Sequence, residues 1–336
     1  MLDVHDDRPV PALAERYELG DVLGAGGAAT VYRAFDRRSG RHVAVKLFDP
    51  QVSRYSRQVV EAAALGELHH PGLVELHATG SENGQAYLVM QLIDGETLAE
   101  QIARGPLPVT AVAAVGACLA DTLAHVHEHG VVHRDLKPGN VLLDAEQRPY
   151  LADFGVSRLI DATRVTATGF VVGTPAYMAP EQVRGAAVGP PADVYALGLI
   201  LLEALTGHRE YPGDVVESAV ARLHRRPALP AQLPAALRSL LSAMTADDPV
   251  RRPEAGAVAV RLTGMQAAAT PRPTVFGRAS SMWRPSRSRG RSMWLSVAAA
   301  SAAVVAGALV MATAADPPAA PAAAAHGPTS LPAAPP

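Results

Sequence analysis

His133-Arg134-Asp135-Leu136-Lys137-Pro138-Gly139-Asn140 is the most informative stretch of this chain. It sets a carboxylate, an ammonium and a carboxamide at fixed spacing in a single loop. Asp135 is suited to accept the proton of a substrate hydroxyl. Lys137 can offset charge on a phosphoryl group during transfer, and Asn140 offers an oxygen to magnesium, which favours hard oxygen ligands. Further along, Asp153-Phe154-Gly155 adds a carboxylate that can bridge a metal to nucleotide phosphates. Taken singly, each acidic residue reads as an ordinary turn or helix-cap residue. Their order and spacing carry the argument.

Working upstream, Leu23-Gly24-Ala25-Gly26-Gly27-Ala28-Ala29-Thr30-Val31 lies between two strand-like runs. Glycine in such a loop lets backbone amides approach phosphate oxygens closely, although a plain tight hairpin explains the stretch equally well by itself. The next strand, Val43-Ala44-Val45-Lys46, supplies an ammonium for the α and β phosphates of a nucleotide, and Glu61 on the following helix is positioned to pair with it.

Between these motifs the pattern divides in two. Tyr17 to Met90 reads as short β-type runs, Val43 to Phe48 and Tyr87 to Met90 among them, with one helical stretch around Tyr55 to Leu68. From Thr97 to Met265 longer helical patterns take over, including Val109 to His129 and Ala192 to Thr206. The expected class is α+β, a small β-rich lobe followed by a larger helical one.

With these motifs in order, residues 17–265 resemble the eukaryotic-like serine/threonine protein kinases of bacteria. The resemblance takes in the glycine-rich loop, Val43–Lys46, His133–Asn140, Asp153–Gly155, Gly173-Thr-Pro-Ala-Tyr-Met-Ala-Pro-Glu181, Asp193-Val-Tyr-Ala-Leu-Gly198 and Arg252-Pro253. It implies a two-lobed protein-kinase fold with ATP and Mg2+, or Mn2+ in its place, in the cleft. Catalytic roles then fall to Asp135, Lys137, Lys46 and Glu61, and metal ligation to Asn140 and Asp153. Adenine would meet the backbone from Gln91 to Ile93, with Met90 as gatekeeper and Val31, Ala44 and Leu142 around the ring; Leu23 to Val31 would cover the phosphates. Glu181 and Arg252 would form a buried ion pair. Lys137 together with Gly173-Thr174-Pro175 resembles the class that acts on aliphatic hydroxyls. Arg134 beside Asp135 implies an activation segment ordered by phosphorylation, at Thr166 or Thr168 before Thr163. Ala29 departs from the usual third glycine of the loop, and modest slowing is expected from its methyl group.

Composition sets the remaining bounds. The formal net charge of −2 hides an asymmetry, because arginine concentrates late in the chain. No nucleic-acid partner is expected. One cysteine, Cys118, excludes an internal disulfide and a cysteine zinc cluster, which suits a cytosolic catalytic part. Residues 1–16 lack the pattern of a secretory signal. Residues 266–292 read as a basic disordered linker with Arg272, Arg278, Arg284, Arg287, Arg289 and Arg291, and residues 293–315 as a transmembrane helix uncharged from Trp294 to Ala315. The arginine cluster places the first 265 residues on the cytoplasmic side. Residues 316–336 form a Pro/Ala-rich tail expected to be disordered outside the membrane, and Ala306, Gly307 and Ala308 would permit close helix packing in a homodimer. The rival from another class is a catalytically silent membrane scaffold, which the presence of Lys46, Asp135, Asn140 and Asp153 disfavours. A small-molecule phosphotransferase is disfavoured by the protein-substrate platform that Gly173 to Glu181 resembles.

Overall fold

The computed structural model describes residues 12–26, 29–50, 68–153 and 175–269. The expected helix around Tyr55, the activation-segment threonines, the basic linker, the membrane span and the tail therefore lie outside the described residues.

Six antiparallel strands form the first layer: β1 (Ala12–Leu13), β2 (Tyr17–Ala25), β3 (Ala29–Asp36), β4 (Arg41–Phe48), β5 (Leu76–Glu82) and β6 (Gln85–Gln91), in the order β1-β2-β3-β4-β6-β5. Strand alternation sorts the side chains onto two faces. Val43 and Val45 pack with Tyr17, Ala34, Tyr87 and Val89 on one face. Phe48, Ala86 and Leu88 pack on the other, with Met90 against them. Ala44 and Lys46 belong to this second face, opposite Met90 and Leu88 respectively.

The sheet begins before the boundary expected at Tyr17. Ala12 and Leu13 pair with Glu18 and Tyr17, and Leu13 is buried. Arg16 donates from Nε and Nη2 to both oxygens of Asp36, each at 2.7 Å. That bidentate pair holds the Asp36 carboxyl well below its ordinary range, with Ser39 and the Arg38 amide adding further hydrogen bonds against the opposing effect of burial.

A short sheet of β7 (Gly95–Thr97), β8 (Val141–Asp144) and β9 (Pro149–Leu151) opens the second part. Its helices are α1 (Leu98–Ala103), α2 (Val109–Glu128), α3 (Pro180–Val183), α4 (Pro190–Thr206), α5 (Val215–His224), α6 (Ala235–Met244) and α7 (Ala255–Ala269). Thr97 starts α1 through a capping box with Glu100. α7 continues past Met265, where the domain was expected to close.

α4 is the central post of the helical part. Pro190 occupies its first turn, Gly207 ends it in the left-handed conformation at φ 77°, and every residue from Ala192 to Ala204 is buried. α2 is long and apolar enough to cross a bilayer, but Val112, Leu119, Leu123 and Val126 are buried in the core shared with α4 and α7. It is a core helix. Gly116 explains the close approach: a Cβ there would lie 2.9 Å from side-chain atoms of Leu201 and Leu262.

The two parts meet where Leu73 bridges Leu151 in parallel. The Leu151 amide donates to the Gly72 carbonyl at 2.8 Å and the Val74 amide to the Leu151 carbonyl at 3.0 Å. These bonds hold the segment before Asp153 against the approach to β5.

Candidate active site

The β3–β4 register puts Val31 directly opposite Lys46, and the β4–β6 register puts Ala44 opposite Met90. Directly opposed residues share a face, so Val31, Ala44, Lys46 and Met90 lie on one side of the sheet. Gly24 and Ala25 pair with Val31 and Thr30 at the end of the β2–β3 hairpin, where the Gly26 amide donates to the Ala29 carbonyl at 2.9 Å. Gly27 and Ala28 lie outside the described residues, as does Glu61. β6 ends at Gln91, whose amide donates to the Glu75 carbonyl at 2.8 Å, and the chain continues through buried Ile93. Leu142 on β8 pairs with Thr97 and Tyr150.

The polar centre forms where Lys46 meets Asp153, Nζ to Oδ1 at 2.5 Å. Burial works to raise the Asp153 carboxyl, but the charge and hydrogen bond of Lys46, with Lys137 and His133 farther off, outweigh it. The group therefore sits below its ordinary value and is charged at neutral pH. Lys137 Nζ donates to Asp135 Oδ2 at 2.8 Å, and Asn140 Nδ2 donates to the Asp135 carbonyl at 2.9 Å. The 3-10 turn Pro138–Asn140 carries this last contact, and the Ala152 amide donates to the Asn140 carbonyl at 2.8 Å. Asn140 is thus tied to both the Asp135 loop and the residue before Asp153.

Buried Asp193, in the first turn of α4, anchors the loop from beneath. Its Oδ2 accepts from the His133 amide at 2.8 Å and its Oδ1 from the Arg134 amide at 2.8 Å. His127 Nε2 lies 2.9 Å from Oδ2. Arg134 and Asp153 hold positive φ, 67° and 65°, an unfavourable conformation for side-chain-bearing residues that the surrounding bonds maintain. His133, fully buried, places Nε2 3.1 Å from the Ala152 carbonyl.

The sequence motifs marked Asp193, but its role as anchor is visible only once α4 lies under the loop. The bridging role of His133 and the contact from Gln182 Nε2 to the Arg134 carbonyl at 3.0 Å carried no separate sequence signal. The buried pair of Glu181 and Arg252 is present, with Nη1 to Oε1 at 2.6 Å and Nη2 to Oε2 at 2.8 Å.

Among the described residues no three His, Cys, Asp or Glu side chains gather to hold a metal. The oxygens available are the Asp153 carboxylate and the Asn140 carboxamide oxygen, whose amide nitrogen is already committed to Asp135. Such a sparse, hard-oxygen pair fits magnesium, which commonly takes one or two protein ligands and completes its shell with phosphates and water.

An interlobe cleft with a lysine on its roof and a catalytic-type loop on its floor defines a nucleotide-dependent phosphotransfer fold. Residues 17–261 match the family described as protein kinase domain, and the chain belongs to that family. Its relatives include the serine/threonine-protein kinase PknL of Mycobacterium tuberculosis, 39% identical over 253 residues covering 71% of this chain and 63% of PknL. PknA of Mycobacterium tuberculosis is 37% identical over 311 residues, covering 86% of this chain and 70% of PknA. PknB of Mycobacterium leprae is 39% identical over 233 residues, covering 66% of this chain and 38% of PknB. This chain spans less than two thirds of the length of PknL and PknB.

Proposed function

We propose that this chain is a serine/threonine protein kinase that transfers the γ-phosphate of ATP to aliphatic hydroxyls of proteins, its own activation segment included. The observation that carries the reading is the convergence of Asp135, Lys137, Asn140, Lys46 and Asp153 on one cleft. Asp135 accepts the proton of the attacking hydroxyl, and its contact with Lys137 Nζ at 2.8 Å holds the carboxylate in place for that task. Lys137 then faces the transferring group. Lys46 orients the α and β phosphates, and Asn140 and Asp153 hold the divalent ion. Held by Asn140 and Asp153, magnesium would supply positive charge to offset that on the phosphates. Gln91 and Ile93 present backbone to adenine, between Val31 and Ala44 above and Leu142 below.

Thr166 and Thr168 are the proposed acceptors within the chain, and Glu61 the proposed second partner of Lys46. Supporting a membrane location are the uncharged stretch from Trp294 to Ala315 and the arginines before it. With that span the catalytic part faces the cytoplasm, and self-association runs through Ala306, Gly307 and Ala308.

The test is incubation of the full chain in detergent with ATP and magnesium, followed by phosphosite mapping beside an Asp135→Asn variant. Phosphate on Thr166 or Thr168 that is absent from the variant is expected. A folded, nucleotide-binding protein that phosphorylates neither itself nor a protein acceptor would support the silent scaffold instead.

A further inference from the structure

Arg222, in the last turn of α5, is 1% exposed and is the largest fully buried side chain among the described residues. Buried charges are ordinarily paired with an opposite charge. Among the described residues no carboxylate pairs with Arg222. Its guanidinium instead donates from Nη1 to the Met178 carbonyl, from Nη2 to Ser218 Oγ at 3.1 Å and from Nε to the Ser218 carbonyl at 3.4 Å. It also lies over the Tyr211 ring, 5.0 Å from the centroid, with Arg225 4.6 Å from the same centroid. Burial lowers its pKa, with Tyr195 and Tyr211 opposing that effect. A methionine would fill the space without desolvating a cation, so the guanidinium's distinctive contribution is its donor fork.

That fork reaches a chain of bonds ending at the catalytic loop. Met178 adjoins Ala179, whose amide donates to Gln182 Oε1 at 2.8 Å. Gln182 Nε2 in turn donates to the Arg134 carbonyl at 3.0 Å, immediately before Asp135. α5 is therefore connected to the segment Ala176–Ala179, part of the stretch that resembles a protein-substrate platform, and through Gln182 to the residue before Asp135.

We propose that Arg222 is a positioning residue for the protein substrate: it fixes the Met178 carbonyl and so the strip of backbone on which the acceptor segment rests. This rests on the protein-kinase reading above. The role is confined to the acceptor side, so loss of the fork affects engagement of the acceptor and leaves nucleotide binding intact.

The test uses the full chain with magnesium, ATP and myelin basic protein as acceptor, comparing wild type with Arg222→Met and Arg222→Lys. For Arg222→Met, KM for the acceptor is expected to rise about tenfold, equivalent to about 1.4 kcal/mol, while KM for ATP and kcat change less than about twofold. Arg222→Lys, which keeps a single donor nitrogen in place of the three-nitrogen fork, is expected to fall between the two. A residue that only supports the fold would lower the active fraction, reducing apparent kcat with both KM values unchanged. That result overturns the proposal.

Hydrogen exchange of the same proteins reads the tether without activity. Faster exchange in residues 178–183 of Arg222→Met, with α5 itself unchanged, is expected. Unchanged exchange there overturns the proposal. A folded wild type that binds nucleotide but transfers no phosphate would overturn the kinase reading, and the substrate role with it, whatever the exchange data show.

Discussion

Asp193 carries more of the site's geometry than its distance from the reacting atoms suggests. One buried carboxylate satisfies the amides of His133 and Arg134 and meets His127, and these bonds hold Arg134 at its positive φ. Asp193→Ala strands those donors in a buried place, and a loss of about 3 kcal/mol is expected in urea unfolding, with activity falling further because the loop is no longer held. Lys46 predicts a pH effect. Asp153 is held below its ordinary carboxyl value in the fold, so its contribution to stability is present above the unfolded pKa of about 3.9 and is lost as pH falls toward the folded value. Lys46→Met removes the main opposing charge, so Asp153 titrates higher, as NMR would show, and the variant loses less stability between pH 6 and pH 3 than the parent. At this scale the sequence marked Asp135, Lys137, Asn140, Asp153 and Lys46 as candidates by residue type and spacing, and the fold brings them together. The sequence was not legible for Gln182, which works through a bond to a backbone carbonyl, since any chain supplies carbonyls and no spacing marks the one chosen.

Among the elements, α2 shows why apolar length alone is ambiguous. A sequence of its composition fits a bilayer as readily as a protein core. What decides is its packing, and at Gly116 α2 comes close enough to α4 and α7 that an added Cβ would meet Leu201 and Leu262. Two glycine substitutions separate packing from helix propensity. Gly264→Ala, in α7 with nothing within 4 Å of the added carbon, is expected to stabilise by about 0.5–1 kcal/mol. Gly116→Val, whose Cβ meets Leu201 and Leu262 at 2.9 Å, is expected to destabilise by about 3 kcal/mol in the same thermal and chemical unfolding measurements. Strand β1 escaped the sequence reading for a related reason. Two residues are too few to show alternation, and their place depends on Arg16 reaching Asp36 across the sheet, a contact between residues distant in sequence. The strands and helices that were legible, such as β4, β6, α2 and α4, are long enough for their periodicity to stand out.

Across the whole molecule, the division into sheet and helical parts was legible because the hydrophobic period changes between Met90 and Thr97. One lock within the helical part was legible only through family resemblance. The pair of Arg252 and Glu181 ties the start of α3 to the loop before α7, and Arg252 also donates to the carbonyls of Ala246 and Pro191. Arg252→Met leaves Glu181 buried without its partner and is expected to cost about 3–5 kcal/mol, while adding Glu181→Leu recovers part of that loss in the same unfolding assay. The central claim is that this cleft separates nucleotide binding from proton abstraction, with Lys46 and Asp153 serving the first and Asp135 the second. The measurement that tests it most directly compares nucleotide affinity and γ-phosphate transfer from labelled ATP in the wild type and Asp135→Asn. The account predicts affinity within about twofold of wild type and transfer lowered by about a hundredfold or more. Transfer at the wild-type rate from Asp135→Asn, with binding intact, would contradict it.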